Sequence, residues 1–62
     1  MEPGEVYFEF TVLGAAVKVV AIDAASGIEV TIMGPSGASQ ADLQRLALRK
    51  LKSRLAREME KP

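Results

Sequence analysis

The side chains able to do chemistry are few in kind. The 62 residues hold eight acids and eight bases, with neither cysteine nor histidine. Lacking thiol and imidazole, the chain has no cysteine nucleophile and no histidine-activated serine, and zinc or iron–sulfur sites lose their customary donors. Four serines remain, Ser26, Ser36, Ser39 and Ser53. Their places suit a turn, a loop, a helix cap and a helix surface, and a serine nucleophile would need a positioned base that none of them has. Glu5 and Glu9 would project from one strand face four residues apart, well beyond the roughly 5 Å that separates a retaining carboxylate pair. No loop gathers acids as a calcium loop does. The expectation is a non-enzymatic chain with no catalytic, metal-binding or cofactor-binding residue.

Two stretches suggest binding instead. Gly34-Pro35-Ser36-Gly37-Ala38-Ser39 precedes a helix start, where free amide hydrogens and the helix dipole attract anions. It has no lysine-serine or lysine-threonine ending of a P-loop, and its proline removes one donor, so a turn with a helix cap is the plainer reading. The second stretch is basic. Arg45, Arg49, Lys50, Lys52, Arg54 and Arg57 fall within 43–57 with no acid among them. On a helical wheel Arg45, Arg49 and Lys52 group together as a candidate surface for RNA, DNA or an acidic partner, and the other three flank the leucines.

The elements that must position these residues follow from hydrophobic period. From Glu5 to Leu13 apolar and polar residues alternate, which predicts a half-buried strand over 5–13. Leu13-Gly14-Ala15-Ala16 places glycine where a type II′ hairpin turn needs positive φ, and a second strand is expected over 16–23. Asp23-Ala24-Ala25-Ser26-Gly27 reads as a type I turn closed by a left-handed glycine, its aspartate accepting turn amide hydrogens. A third strand is expected over 28–33, broken by Gly34-Pro35. In these registers one face collects Val6, Phe8, Phe10, Val12, Val17, Val19, Ala21, Ile28, Val30 and Ile32. Ser39 and Asp42 then resemble a capping box that opens a helix over 40–58.

The implied architecture is one α+β domain over 1–62: a three-stranded antiparallel β-meander with a single C-terminal helix on its apolar face (βββα), and short loose termini. Charge follows the same division. Residues 1–38 carry five acids against Lys18, a balance of −4, and residues 39–62 carry seven bases against three acids, a balance of +4.

A chain this short builds a marginal core, and without cysteines or ordinary metal ligands the supplement left to it is a partner. Apolar positions in excess of one helix–sheet seam mark where a second copy would sit: Val20 and Ile22 on the opposite sheet face, the Leu48, Leu51 and Leu55 stripe, or an edge strand. A homodimeric interaction or structural module is therefore the leading expectation, with a further protein partner as an extension and polyanion binding as the alternative. No apolar run approaches a membrane span, and Met1-Glu2-Pro3-Gly4 does not resemble the start of a secretory signal, so the cytoplasm is the expected compartment.

Two resemblances bear on this. Three strands, a Gly-rich loop and a helix, with Gly34, Gly37, Ser39, Leu43, Leu46, Ala47 and Leu51, resemble the C-terminal half of a double-stranded RNA-binding domain. That resemblance would imply RNA as partner, but the family's phosphate-holding lysines are replaced here by Gln40, Ala41 and Asp42, and its first helix has no counterpart. Over nearly its full length the chain is similar to a small, mostly proteobacterial family of about sixty residues, a domain of unknown function. The matching pieces are Gly4-Glu5-Val6 with Phe8-Glu9-Phe10, Ala16-Val17-Lys18-Val19, Ile22-Asp23, Gly27 with Glu29-Val30, Gly34-Pro35, Ser39-Gln40-Ala41-Asp42-Leu43 and Leu46-Ala47-Leu48-Arg49-Lys50-Leu51. This similarity implies a bacterial source and no particular activity.

Overall fold

Alternation of apolar and polar side chains over the first half of the chain becomes three antiparallel strands in a computed structural model, which describes residues 4–60. The expected loose ends at 1–3 and 61–62 lie outside the described residues. Strand β1 spans Val6–Leu13, β2 Ala16–Asp23 and β3 Glu29–Pro35, and helix α1 spans Gln40–Met59. Sheet order is β1-β2-β3, a meander with β2 at the centre, and the helix packs on β2 and β3. The fold is therefore a βββα arrangement of the α+β class.

Both turns depend on a glycine with positive φ. Gly14 has φ +63° and no non-glycine residue described has positive φ, so only the first central position of the β1–β2 turn is left-handed, as type II′ requires. At the other end Gly27 has φ +77° and its N–H donates to the Asp23 carbonyl at 2.8 Å. The Asp23 side chain organises this loop: its Oδ2 accepts from the Ser26 N–H at 3.1 Å and the Ser26 hydroxyl at 2.6 Å. Ser26 Oγ in turn accepts from the Ile28 N–H at 3.1 Å. A short relay of side-chain oxygens thus replaces the water that would otherwise solvate these backbone donors.

Register follows from the turns. Tyr7 pairs with Ile22, Glu9 with Val20 and Phe10 with Val19, and β2 continues the rows through Val19 to Ile32 and Val20 to Thr31. The core is a single layer between sheet and helix: Val17, Val19, Ala21 and Val30 from the strands, and Leu43, Ala47, Leu51 and Leu55 from the helix. Those four helical residues recur every fourth position, the stripe an α-helix turns toward one surface.

Three expectations need correction. β3 does not stop before Gly34-Pro35 but ends at Pro35. Proline costs no ladder bond there because it closes an edge strand and its nitrogen faces away from β2. Gly34 lies under the helix, and a Cβ added to it would fall within the van der Waals shell of Leu43 Cδ2, so the glycine admits the helix rather than interrupting the strand. Val12, expected on the covered face, is 70 % exposed because the helix lies over β2 and β3 and leaves this end of β1 bare.

Candidate functional site

Ser26 and Ser39, with the acids Asp23 and Asp42, hold structural positions. Ser26 is in the Asp23 relay. Ser39 is the helix N-cap, with φ −69° and ψ 141°, and its Oγ accepts from the Asp42 N–H at 3.0 Å. Asp42 lies in the first helical turn, paired with Arg45. The Arg45 guanidinium, and after it the Ser39 hydroxyl, hold the Asp42 carboxyl below the usual carboxylate range. Asp23 is 4 % exposed, and its Oδ1 is buried with no partner among the described residues. Its other oxygen is committed to the turn. The described residues contain no group of three or more acids placed to hold a metal ion, and no described helix is long and apolar enough to cross a membrane.

The basic helix is less concentrated than its sequence. Of the candidate polyanion residues, Arg45 is paired with Asp42, and Arg45, Leu46 and Arg49 line an open hollow of about 460 Å³ with Asp42 itself at its rim. Lys52 is half-buried. Arg54 Nε lies 3.5 Å from Glu58 Oε2 one turn on. Lys50 leaves the helix surface altogether: its Nζ donates to the Thr31 carbonyl at 2.7 Å. Arg57 lies in the last turn, where a cation favours the helix dipole.

The apolar candidates divide as well. Leu51 and Leu55 are 0 % and 4 % exposed, which corrects their reading as part of an outward stripe: helix rotation turns the Leu43, Ala47, Leu51 and Leu55 row onto the sheet. Leu48 is half-buried beside that row. On the open sheet face Ile22 is half-buried, while Val20 is buried although no helix covers it. Val20 sits on the central strand between Glu9 and Thr31, and those cross-strand neighbours shield it.

What remains open is β1. Phe8 and Phe10 are only half-buried, and Val12, Tyr7 and Leu13 are exposed. Phe10, Val12, Val17, Ala38, Gln40 and Leu43 border a groove of about 220 Å³ between this strand and the start of the helix. The two sheet edges also differ. The Glu5 carbonyl accepts from the Ala24 N–H at 3.0 Å, so alternation directs the backbone groups of odd-numbered β1 residues toward β2. Those of Val6, Phe8, Phe10 and Val12 point to the free edge. On β3 the Asp23 N–H to Ile28 carbonyl bond, 2.9 Å, sets the opposite parity and leaves Glu29, Thr31, Met33 and Pro35 facing outward. There Lys50 occupies the Thr31 carbonyl and Pro35 has no N–H to offer. Among the described residues the β3 edge is blunted and the β1 edge is bare. Sequence patterning named an edge strand without saying which; the signals that separate them are Pro35 and a lysine nineteen residues from Thr31.

No curated protein and no solved structure matches the chain. A family model does match, over residues 3–58, and by that extent the chain belongs to the family described as a domain of unknown function, DUF6898.

Proposed function

We propose that this domain is a non-enzymatic module that works by self-association, a homodimer that serves a structural or protein-interaction role. The observation that carries the reading is the incomplete cover of the sheet: one helix packs on β2 and β3, and β1 keeps a bare edge beside Phe8, Phe10 and Val12. Edges of this kind pair with another chain unless they are blocked. The non-enzymatic part rests on the structural commitments of Asp23, Ser26, Ser39 and Asp42 described above.

Sedimentation equilibrium across a concentration series tests it. The expected result is a species of twice the 6.6 kDa chain mass that persists to micromolar concentration. A 6.6 kDa monomer at millimolar concentration overturns the reading.

RNA or acidic-partner binding through Arg45, Arg49 and Lys52 is the competing reading, and the Asp42–Arg45 pair weakens it by placing an anion inside the basic surface. It requires salt-sensitive binding of a polyanion, lost when the three cations are neutralised together. Binding of that kind by a monomer would replace the dimer proposal.

A further inference from the structure

The bare edge of β1 carries more than a surface for pairing; its residues select a register. Resting on the self-association reading above, we propose that two copies join β1 to β1 in antiparallel fashion about a two-fold axis at Phe10, forming a continuous six-stranded sheet.

A two-fold pairing of a strand with itself is defined by the residue on the axis. Registers that pair odd with even residues would set the apolar side of one copy beside the polar side of the other, so each residue must oppose one of the same parity. An axis at Glu9 places the two Glu9 carboxylates opposite each other, which is destabilising. An axis at Phe8 leaves Val12 and Leu13 overhanging, and these are 70 % and 49 % exposed in the single chain. An axis at Thr11 sets Glu9 against Leu13. With Phe10 on the axis, Phe8 meets Val12 of the second copy on the helix side, and Phe10 meets its own equivalent. On the other side Tyr7 meets Leu13 and Glu9 meets Thr11. From Tyr7 to Leu13 apolar opposes apolar and polar opposes polar, and the large exposed side chains of β1 are those that acquire neighbours.

The backbone agrees with this register. Val6, Phe8, Phe10 and Val12 direct their N–H and C=O groups outward, so Phe10 with its equivalent, and Phe8 with Val12, form the hydrogen-bonded pairs of the new ladder. β3 cannot substitute for β1 in this role, because Lys50 covers Thr31 and Pro35 lacks a donor.

Because the chain has no cysteine, an introduced pair reports the register without competition. Glu9 and Thr11 of the second copy would form a non-hydrogen-bonded pair, whose Cα separation of about 4.5 Å suits a disulfide. Mixing Glu9→Cys and Thr11→Cys chains under mild oxidation is expected to yield the mixed disulfide in excess of either homodisulfide. Val12→Lys, at a position exposed in the single chain, is expected to weaken dimerisation by about tenfold or more while leaving the monomer's circular dichroism unchanged. A Glu9→Cys homodisulfide as the dominant product overturns the Phe10 axis. So does a dimer by mass that gives no β1 cross-link, although self-association itself then stands. A monomeric wild-type chain overturns both.

Discussion

The side chain of Leu43 occupies the space above Gly34 that any other residue would need: its Cγ and Cδ1 lie 3.6 and 3.7 Å from where a Cβ would stand, and Cδ2 lies closer still. This contact seats the first turn of the helix on the last residues of β3. Leu43 begins the helical row, with Ala47, Leu51 and Leu55, that faces the sheet.

Gly34→Ala should therefore destabilise the domain by about 1–3 kcal/mol, the usual cost of overpacking a close contact. Combining it with Leu43→Ala should give a double variant less unstable than the sum of the two singles, since the added methyl group then enters vacated space. Urea denaturation of the four proteins measures the coupling.

Leu51 and Leu46 are five residues apart and should behave oppositely. Leu51→Ala removes a fully buried side chain and should cost about 2–5 kcal/mol, enough to unfold much of so small a domain. Leu46, 51 % exposed, should tolerate alanine within about 0.5 kcal/mol. Thermal melts followed at the helical band would separate the two.

At the β2–β3 loop, Asp23→Ala strips the acceptor from the Ser26 N–H and hydroxyl and should cost about 1–3 kcal/mol. Gly27→Ala meets open space yet must hold φ +77°, so its cost of about 1–2 kcal/mol comes from backbone strain alone. Hydrogen exchange of the backbone amide at position 27, which bonds the Asp23 carbonyl in the wild type, should quicken in both variants.

The Asp42 carboxyl ionises more readily in the folded chain than its ordinary value of 3.8 because Arg45 and the Ser39 hydroxyl favour its charged form. A depressed folded-state value means the contribution is present above 3.8 and is lost as pH falls through the lower, folded value. Stability profiles of wild type and Asp42→Asn should accordingly differ near neutral pH and converge in acid. Added salt should reduce the difference, because the pair is solvent-exposed.

Lys50→Met should change monomer stability little, within about 1 kcal/mol, but it uncovers the Thr31 carbonyl. Light scattering should then detect assemblies larger than a dimer, because the β3 edge regains the Thr31 carbonyl as an acceptor and keeps only Pro35 as its block.

Much of this architecture was legible because period-2 alternation, two turn glycines and a helix cap report on local backbone geometry. Val6 through Leu13 point to alternate faces wherever the strand ends up. What alternation lacks is extent: it assigns Val12 to the helix side without saying that the helix packs mainly on β2 and β3 and leaves Val12 exposed. Helical rotation was similarly hidden. Leu48, Leu51 and Leu55 share a broad apolar arc, and packing against the sheet, with Leu43 seated over Gly34, buries the Leu43, Ala47, Leu51 and Leu55 row. Pro35 looked like a strand breaker because its harmlessness depends on being at an outer edge, a fact of tertiary arrangement. The bare β1 edge was invisible for the same reason, since Lys50 reaches Thr31 across a separation that no local pattern encodes.

The meander order has a kinetic consequence. Each strand pairs with its immediate successor through a short turn, and the helix returns to the two strands just made. Closing such contacts requires little loop entropy, so the barrier to folding is low for a chain that contains a sheet. The β3 edge of the nascent sheet is unprotected only until the helix docks and Lys50 reaches Thr31, and rapid docking keeps that aggregation-prone interval brief.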